Sequence, residues 1–190
     1  MSEKIAVIGA GIAGLTCARE LQNAGLEVVL YDKGRAPGGR LVTRRVDGIA
    51  FEPDRHYAGD YGAQYFTIRD DGFRSRIQDA AHAGAVDEWR PRWPDDTRER
   101  SPTYVATPGM SRLGRVFASG LDVRCGTRVV AIERRGTRWK LVDEVDSIIE
   151  TYAALVLAIP APQAAELAGP RLDPRIAAVR MLPCWAAILA

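Results

Sequence analysis

Three glycines spaced Gly9-x-Gly11-x-x-Gly14, an acid at Asp32 and a Gly38-Gly39-Arg40 triplet are the residues of this chain best suited to hold a phosphorylated ligand. Glycines let a backbone turn tightly and approach a pyrophosphate, and a helix starting among them offers free N–H groups and a partial positive charge. A carboxylate one strand further on accepts hydrogen bonds from ribose hydroxyls. Asp32 stands eighteen residues beyond Gly14, at the end of an apolar run, where that role needs it. This spacing marks a dinucleotide-binding turn and does not by itself separate NAD from FAD. The later triplet favours FAD. An NAD-dependent dehydrogenase has no standing need for Gly-Gly-Arg beyond its ribose acid. A longer cofactor lying across the sheet edge gains room from Gly38 and Gly39 and a countercharge from Arg40.

These residues need particular elements to position them. The apolar run Ile5–Ile8 predicts a strand, Leu15, Ala18 and Leu21 recur at helical spacing, and Gly25 sits where a glycine ends a helix. Val28–Leu30 predicts a second strand, so the first 32 residues read strand, helix, strand, which implies parallel strands in a covered sheet. Asp47-Gly48 between "LVTRRV" and "IAFE" predicts a two-residue hairpin turn. "GAQYFTI" reads as a strand, and "DGFRSRIQDAAHAGA" as a helix with Phe73, Ile77 and Ala80 on one face. Glu88–Pro102 is polar and proline-broken, a candidate excursion. Met110, Leu113 and Phe117 then share a helical face that Gly120 ends. "LDVRCGTRVVAIERRGTRWKLV" alternates like antiparallel strands with a turn at Arg135-Gly136. "YAALVLAIPAP" reads as a strand buried on both faces and closed by Pro160.

With 190 residues, 47% of them hydrophobic and 26% charged, the chain can bury a substantial core. The net charge of +2 arises from 26 basic and 24 acidic residues spread without a basic stripe, which argues against a nucleic-acid partner. Cys17, Cys125 and Cys184 are odd in number and far apart, so neither a disulfide framework nor a metal site is expected. No apolar run is long enough for a membrane span and no signal-peptide pattern opens the chain, so a cytoplasmic protein without membrane association is expected.

The blocks "VIGAGIAGLTCARELQNAGLEVVLYDKGRAPGGRLVTRR", "GAQYFT", "YVATPGMSRLGRVFASGLDV", "TRVVAIER" and "LVLAIPAPQAAEL" resemble, in the same order, FAD-dependent oxidoreductases of the flavin-containing amine oxidase superfamily. Within it, "GAQYF" and "PGMS" resemble the bacterial renalase-like proteins. The resemblance implies an α/β fold: an FAD/NAD(P)-binding Rossmann-like domain, with a parallel sheet, helices and an antiparallel β-meander, plus part of a substrate domain. It implies that 1–84 and 107–163 form the FAD-binding domain, 85–106 makes an excursion into the substrate domain, and 164–190 begins that domain's incomplete remainder. Gly9, Gly11, Ile12, Ala13 and Gly14 would contact the diphosphate. Asp32, with Lys33 beside it, would hold the adenosine ribose, and Gly39 and Arg40 the diphosphate and ribityl region. Gly62, Ala63 and Gln64 would pass along the isoalloxazine ring, Val129 would touch the adenine through its backbone, and Pro160 would lie near the cofactor. For Val129 and Pro160, plain sheet packing and strand termination are equal alternatives. Tyr65, Phe66, Trp89, Trp93 and Tyr104 are candidate aromatic walls for a substrate. No catalytic side chain is required of His56, expected in a loop, or His82, expected on a helix surface, because a flavin itself accepts hydride.

The chain departs from the family pattern twice. "FEPDRHYAGDY" lengthens the approach to Gly62, is expected to form a loop, and offers Glu52 or Asp60 as the family acid, Asp60 fitting better. The chain also stops in "PCWAAILA", an apolar run without turn or polar cap, so the 190 residues are expected to be a partial form. The leading expectation is an FAD-dependent oxidoreductase that takes hydride from a reduced nitrogen-containing small molecule, such as a dihydronicotinamide nucleotide isomer, and is reoxidised by dioxygen. An amine oxidase and an inactive nucleotide-binding fragment are the alternatives. A disulfide reductase is disfavoured by the absence of a close cysteine pair.

Overall fold

The computed structural model describes residues 3–49, 52–92, 101–145 and 147–188. In chain order its elements are β1 (Lys4–Ile8), α1 (Ile12–Asn23), β2 (Glu27–Asp32), β3 (Thr43–Ile49), β4 (Glu52–Asp60), β5 (Phe66–Thr67), α2 (Asp71–His82), β6 (Val86–Trp89) and β7 (Thr103–Ala106). They continue with α3 (Ser111–Ala118), β8 (Asp122–Cys125), β9 (Val129–Arg135), β10 (Arg138–Asp143), β11 (Ile148–Tyr152), β12 (Ala154–Leu157), α4 (Ala161–Ala168) and α5 (Pro174–Ala177). Two compact units result, Met1–Gly39 with Phe117–Trp185 and Arg40–Val116 with Ala186–Ala190. Residues 40–84 therefore belong to the second unit and residues 117–163 to the first.

In the first unit a parallel sheet runs in the order β12-β1-β2-β8. The strand–helix–strand start is as expected: β1 and β2 pair in parallel from Lys4 with Glu27 to Ile8 with Tyr31. Gly25, at φ +82°, ends α1 with its N–H on the Gln22 carbonyl at 2.9 Å. Strand alternation sends Ala6, Ile8, Val29 and Tyr31 to one face, where they pack against Ile132, Leu141, Tyr152 and Ala168. Val7 and Leu30 turn to the opposite face, and Leu15 and Ala18 bury the inner side of α1. Each buried Val, Leu or Ile among them contributes about 2 kcal/mol, far more than the local propensities of this glycine-rich start.

The antiparallel meander β11-β10-β9 covers the first face, with the β9–β10 reversal at Gly136 and Thr137. Two expectations change here. The LDVRC stretch, expected to be antiparallel, is β8 and pairs with β2 in parallel. The chain returns to the sheet through α3, and such a crossover sets strand direction where alternation cannot. The run expected to be buried on both faces is β12, only half-buried because among the described residues it is an edge strand beside β1.

In the second unit β3 and β4 form an antiparallel hairpin, but its turn is not at Asp47-Gly48. Asp47 pairs with His56 and Ile49 with Glu52, so pairing continues past Gly48, which is absorbed in a register shift within β3. The expected loop before Gly62 is instead the strand β4, and His56 stands exposed on it, its Nδ1 2.9 Å from Asp47 Oδ1. His82 ends α2, exposed as expected. "GAQYFTI" is a strand only over Phe66–Thr67, in a small antiparallel sheet ordered β5-β7-β6. Asp70 caps α2 by accepting the Phe73 N–H at 2.8 Å, and Ile77 and Ala80 are buried. No helix among the described residues is long and apolar enough to cross a membrane.

Candidate functional site

The glycine turn after β1 has two different reasons for its glycines. Gly9 sits at φ +107°, and a Cβ there would lie 2.5 Å from the Ala158 carbonyl oxygen. A Cβ on Gly14 would meet the Gly9 oxygen at 1.9 Å and the Ala158 Cβ at 3.1 Å. Both are required by close packing of the turn, α1 and the residue after β12. Gly11 is different, since a Cβ on it would approach only Gly39 Cα, at 3.9 Å. It is the N-cap of α1, which has no side-chain cap and no acidic residue in its first turn. The first-turn donors around Ile12, Ala13 and Gly14 thus lie behind a bare glycine, a cradle that any side chain would narrow and that an anionic diphosphate fits. Ala158 has no distinctive sequence signal beyond being small at the end of an apolar strand.

Asp32 ties this turn to a second loop. Its Oδ2 accepts the Ala10 N–H at 2.6 Å, its Oδ1 the Gly34 N–H at 2.7 Å, and its carbonyl the Thr127 N–H at 3.0 Å. The two backbone N–H groups fix the half-buried carboxylate while leaving lone pairs on both oxygens for further donors such as ribose hydroxyls. Lys33 beside it is exposed. Val129 opens β9 two residues after Thr127, at the same edge as the Asp32 loop. Cys125, opposite Asp32 in the β2–β8 register, has its thiol pushed up by burial and then by the Asp32 charge, so it stays protonated near neutrality. The sequence offers no disulfide or metal role for it. Its place beside Asp32 becomes legible once β8 is known to be parallel.

Gly38 and Gly39 meet the first glycine turn directly. The Gly38 N–H donates to the Ala10 carbonyl at 2.8 Å, Gly11 and Gly38 form an isolated parallel bridge, and a Cβ on Gly39, at φ +58°, would be 3.0 Å from Gly11 Cα. The Gly-Gly pair therefore serves backbone-to-backbone contact between two loops. Pro160, exposed, caps α4 and accepts the Ala164 N–H at 3.0 Å, two residues beyond Ala158. The first unit thus brings together Gly9, Gly11, Ile12, Ala13, Gly14, Asp32, Lys33 and Gly39 around one turn, with Val129 and Pro160 on the adjoining strand ends.

The remaining candidates lie in the second unit. The Arg40 carbonyl accepts the Ala63 N–H at 3.0 Å, and a Cβ on Gly62 would be 1.9 Å from that same carbonyl oxygen. Arg40, Gly62 and Ala63 are thereby adjacent, and Gln64 follows, exposed. The aromatics divide into two groups. Phe66 stacks on Tyr104 at 5.8 Å and meets Phe73 edge-on at 6.0 Å, which makes them packing residues of the small sheet. Tyr65 and Trp89, 40% and 39% exposed, pair at 5.6 Å on the surface and are the ones that could face a ligand. Trp93 lies outside the described residues.

A polar chain runs behind Asp32. Arg124 Nη1 donates to the Tyr31 hydroxyl at 3.1 Å, the Tyr31 and Tyr152 hydroxyls are 2.5 Å apart, and Tyr152 donates to Glu150 Oε2 at 2.9 Å. Lys4 Nζ closes it on Glu150 Oε1 at 2.9 Å. Burial pushes both tyrosine hydroxyls up, while the hydrogen bond from Lys4 holds the Glu150 carboxyl below its usual range.

Comparison with known proteins bears on the family and the fold. Residues 92–188 match the family described as flavin containing amine oxidoreductase, and residues 7–78 match an NAD(P)-binding Rossmann-like domain. Hydroxyneurosporene desaturase of Rubrivivax gelatinosus is 41% identical over 68 residues, 36% of this chain and 11% of its own. A 4,4'-diapophytoene desaturase of Staphylococcus aureus (strain Newman) is 43% identical over 49 residues, 26% of this chain and 10% of its own. Among solved structures, a candidate protoporphyrinogen oxidase from Exiguobacterium sp. 255-15 superposes with a TM-score of 0.72 at 14% identity, covering 94% of this chain and 64% of its own. A putrescine oxidase variant gives a TM-score of 0.67 at 14% identity, covering 93% and 62%. The chain therefore spans about a tenth of the length of these curated relatives and under two thirds of these structural ones.

Proposed function

Because this chain belongs to the flavin containing amine oxidoreductases, we propose that it acts as an FAD-dependent oxidoreductase on a reduced, nitrogen-containing small molecule. The observation that carries this reading is the bare flank of Gly11 in front of the uncapped start of α1, with the Asp32 carboxylate fixed across the same turn. FAD supplies, when bound, a two-electron acceptor that takes hydride from a substrate and passes the electrons to dioxygen with release of hydrogen peroxide.

The chain's own residues bind and orient. The backbone N–H groups of Gly11 to Gly14 take the diphosphate, Asp32 the adenosine ribose with Lys33 alongside, and the backbone of Val129 the adenine. Gly39 and Pro160 bound the cofactor by close approach, Arg40 balances phosphate charge, and Gly62, Ala63 and Gln64 line the ring. Arg40 is exposed, so it contributes to the ligand and little to the core. Arg40→Ala should weaken FAD binding roughly tenfold or more, the weight of one charge-assisted hydrogen bond, with the thermal midpoint nearly unchanged. A flavin fluorescence titration beside a melting curve checks this.

For the substrate we favour a dihydronicotinamide nucleotide isomer, in keeping with the renalase-like "GAQYF" and "PGMS" stretches. Tyr65, which directly follows Gln64, pairs with Trp89 on the surface, and two exposed rings suit a planar heterocycle. Simple amines are the second reading, favoured by the family and by the likeness to a putrescine oxidase. Anaerobic mixing of the FAD-loaded protein with each class decides between them. Bleaching of the flavin absorbance by the nucleotides supports the first reading, bleaching by amines alone rejects it, and a protein that FAD cannot colour supports a non-catalytic nucleotide-binding role.

A further inference from the structure

We propose that Asp60 is a positioning residue that sets where the strap Tyr61–Gln64 lies. The inference rests on the reading above that Gly62, Ala63 and Gln64 border the cofactor.

Asp60 ends β4 and is paired with Thr43, the first residue of β3. Its Oδ1 accepts two hydrogen bonds, from the Thr43 hydroxyl at 2.5 Å and from the Met110 N–H at 3.0 Å. Thr43 Oγ1 in turn accepts the Ser111 N–H at 3.1 Å. Two donors at the start of α3, which would otherwise lack an acceptor, are thus held by one carboxylate and one hydroxyl, and a negative charge is favourable at that helix end. The fit leaves no slack, for a Cβ on Gly109 would be 2.8 Å from Thr43 Oγ1 and 3.4 Å from Asp60 Oδ1.

Immediately beyond this latch the two tracks of the hairpin continue side by side. The Tyr61 N–H donates to the Val42 carbonyl at 3.3 Å and the Ala63 N–H to the Arg40 carbonyl at 3.0 Å. Arg40 and Gly62–Gln64, the two cofactor-bordering stretches of this unit, are therefore the open ends of one ladder whose register is pinned at Thr43 and Asp60. A single oxygen shared between hairpin and helix makes Asp60 the point at which both are fixed. Removing it frees the strap as well as the helix end.

The test uses Asp60→Ala and Thr43→Val, with Asp60→Asn and Thr43→Ser as conservative rescues, in the FAD-loaded protein. It reads amide hydrogen exchange at residues 61–64 and visible circular dichroism of the bound flavin. The disruptive variants should speed exchange at Ala63 roughly tenfold or more and alter the flavin band, and Asn and Ser should restore both, since each keeps the acceptor or donor oxygen. If Asp60→Ala does not fold, Thr43→Val carries the same expectation. Unchanged exchange and an unchanged flavin band, with only a lowered melting temperature, would overturn the proposal and leave Asp60 a helix cap. Faster exchange with an unchanged flavin band would overturn it differently, by showing that the strap Asp60 holds does not border the cofactor.

Discussion

Replacing Gly9 with alanine should abolish FAD binding and remove roughly 4 kcal/mol of stability, because two penalties of about 1–3 kcal/mol each act at that position. The first is backbone strain, since φ is +107°, a region that side-chain-bearing residues rarely occupy. The second is steric: the new methyl would lie 2.5 Å from the Ala158 carbonyl oxygen and 2.9 Å from Ile159 Cγ2. Neither is relieved by moving a side chain, since the nearest obstacle is the backbone at the end of β12, a strand that pairs with β1 from Ile5 to Ile8. Relief must come from the turn itself, which displaces Ala10 from Asp32 and Gly11 from Gly39, the contacts that shape the turn proposed to hold the nucleotide. Gly25→Ala is the matched control. It carries the strain at φ +82° but meets nothing within 4 Å, so it should cost only about 1 kcal/mol and leave FAD binding intact. Thermal unfolding and flavin titration on both variants check the contrast.

The second large effect concerns the polar chain behind Asp32. Tyr152→Phe keeps a fully buried ring edge-on to Tyr31 but deletes the hydroxyl that serves both Tyr31 and Glu150. Leaving two partly buried groups short of a partner should cost roughly 2 kcal/mol. The pH dependence gives the effect a signature. Both tyrosines are raised above their usual 10.0, so folding favours their protonated forms. Their contribution is complete below pH 10.0 and is lost as pH rises beyond it, as the unfolded chain ionises first. Lys4, raised above 10.5 chiefly by its hydrogen bond to Glu150, acts in the same direction. Glu150, lowered from 4.5, contributes above that pH, and its share is lost as pH falls through its folded value. Stability of the wild type should therefore fall steeply above pH 10.0, and the Tyr152→Phe profile should fall less steeply because one raised tyrosine is gone. Parallel profiles from pH 9 to pH 11 would refute this role for Tyr152.

What the sequence revealed and what it withheld divide along physical lines. The first strand–helix–strand unit, the Gly25 stop and the placing of Asp32 rest on local periodicity and local turn chemistry, and they appear in the structure within a residue or two. Of the β3–β4 hairpin, β3 is legible in the sequence, whereas most of β4 reads as a loop and the register is not legible. A turn signal at Asp47-Gly48 cannot announce that pairing will continue from Asp47–His56 to Thr43–Asp60, since that depends on the partner strand. Direction was hidden at β8 for a similar reason, because alternation is the same in parallel and antiparallel ladders. The strand β11 was hidden by its continuity with the apolar run that becomes β12. The Gly-Gly-Arg triplet was recognised as important, while the reason for its glycines, contact with Gly11, exists only in three dimensions. In the sequence Asp60 has only the look of a motif acid. Its bonds to Thr43 and Met110 join residues 17 and 50 positions away, which no local pattern encodes.

The most direct measurement is an equilibrium titration of the purified chain with FAD, repeated with FMN and with ADP as competitor. In the proposed function the grip built from Gly11, Ala13, Gly14 and Asp32 would hold the nucleotide half of the cofactor. FAD should therefore bind saturably at one per chain, ADP should displace it, and FMN, which lacks the adenosine, should bind far more weakly. Absence of FAD binding, or FMN binding as tight as FAD with no competition from ADP, would contradict the assignment of this turn as the cofactor's anchor.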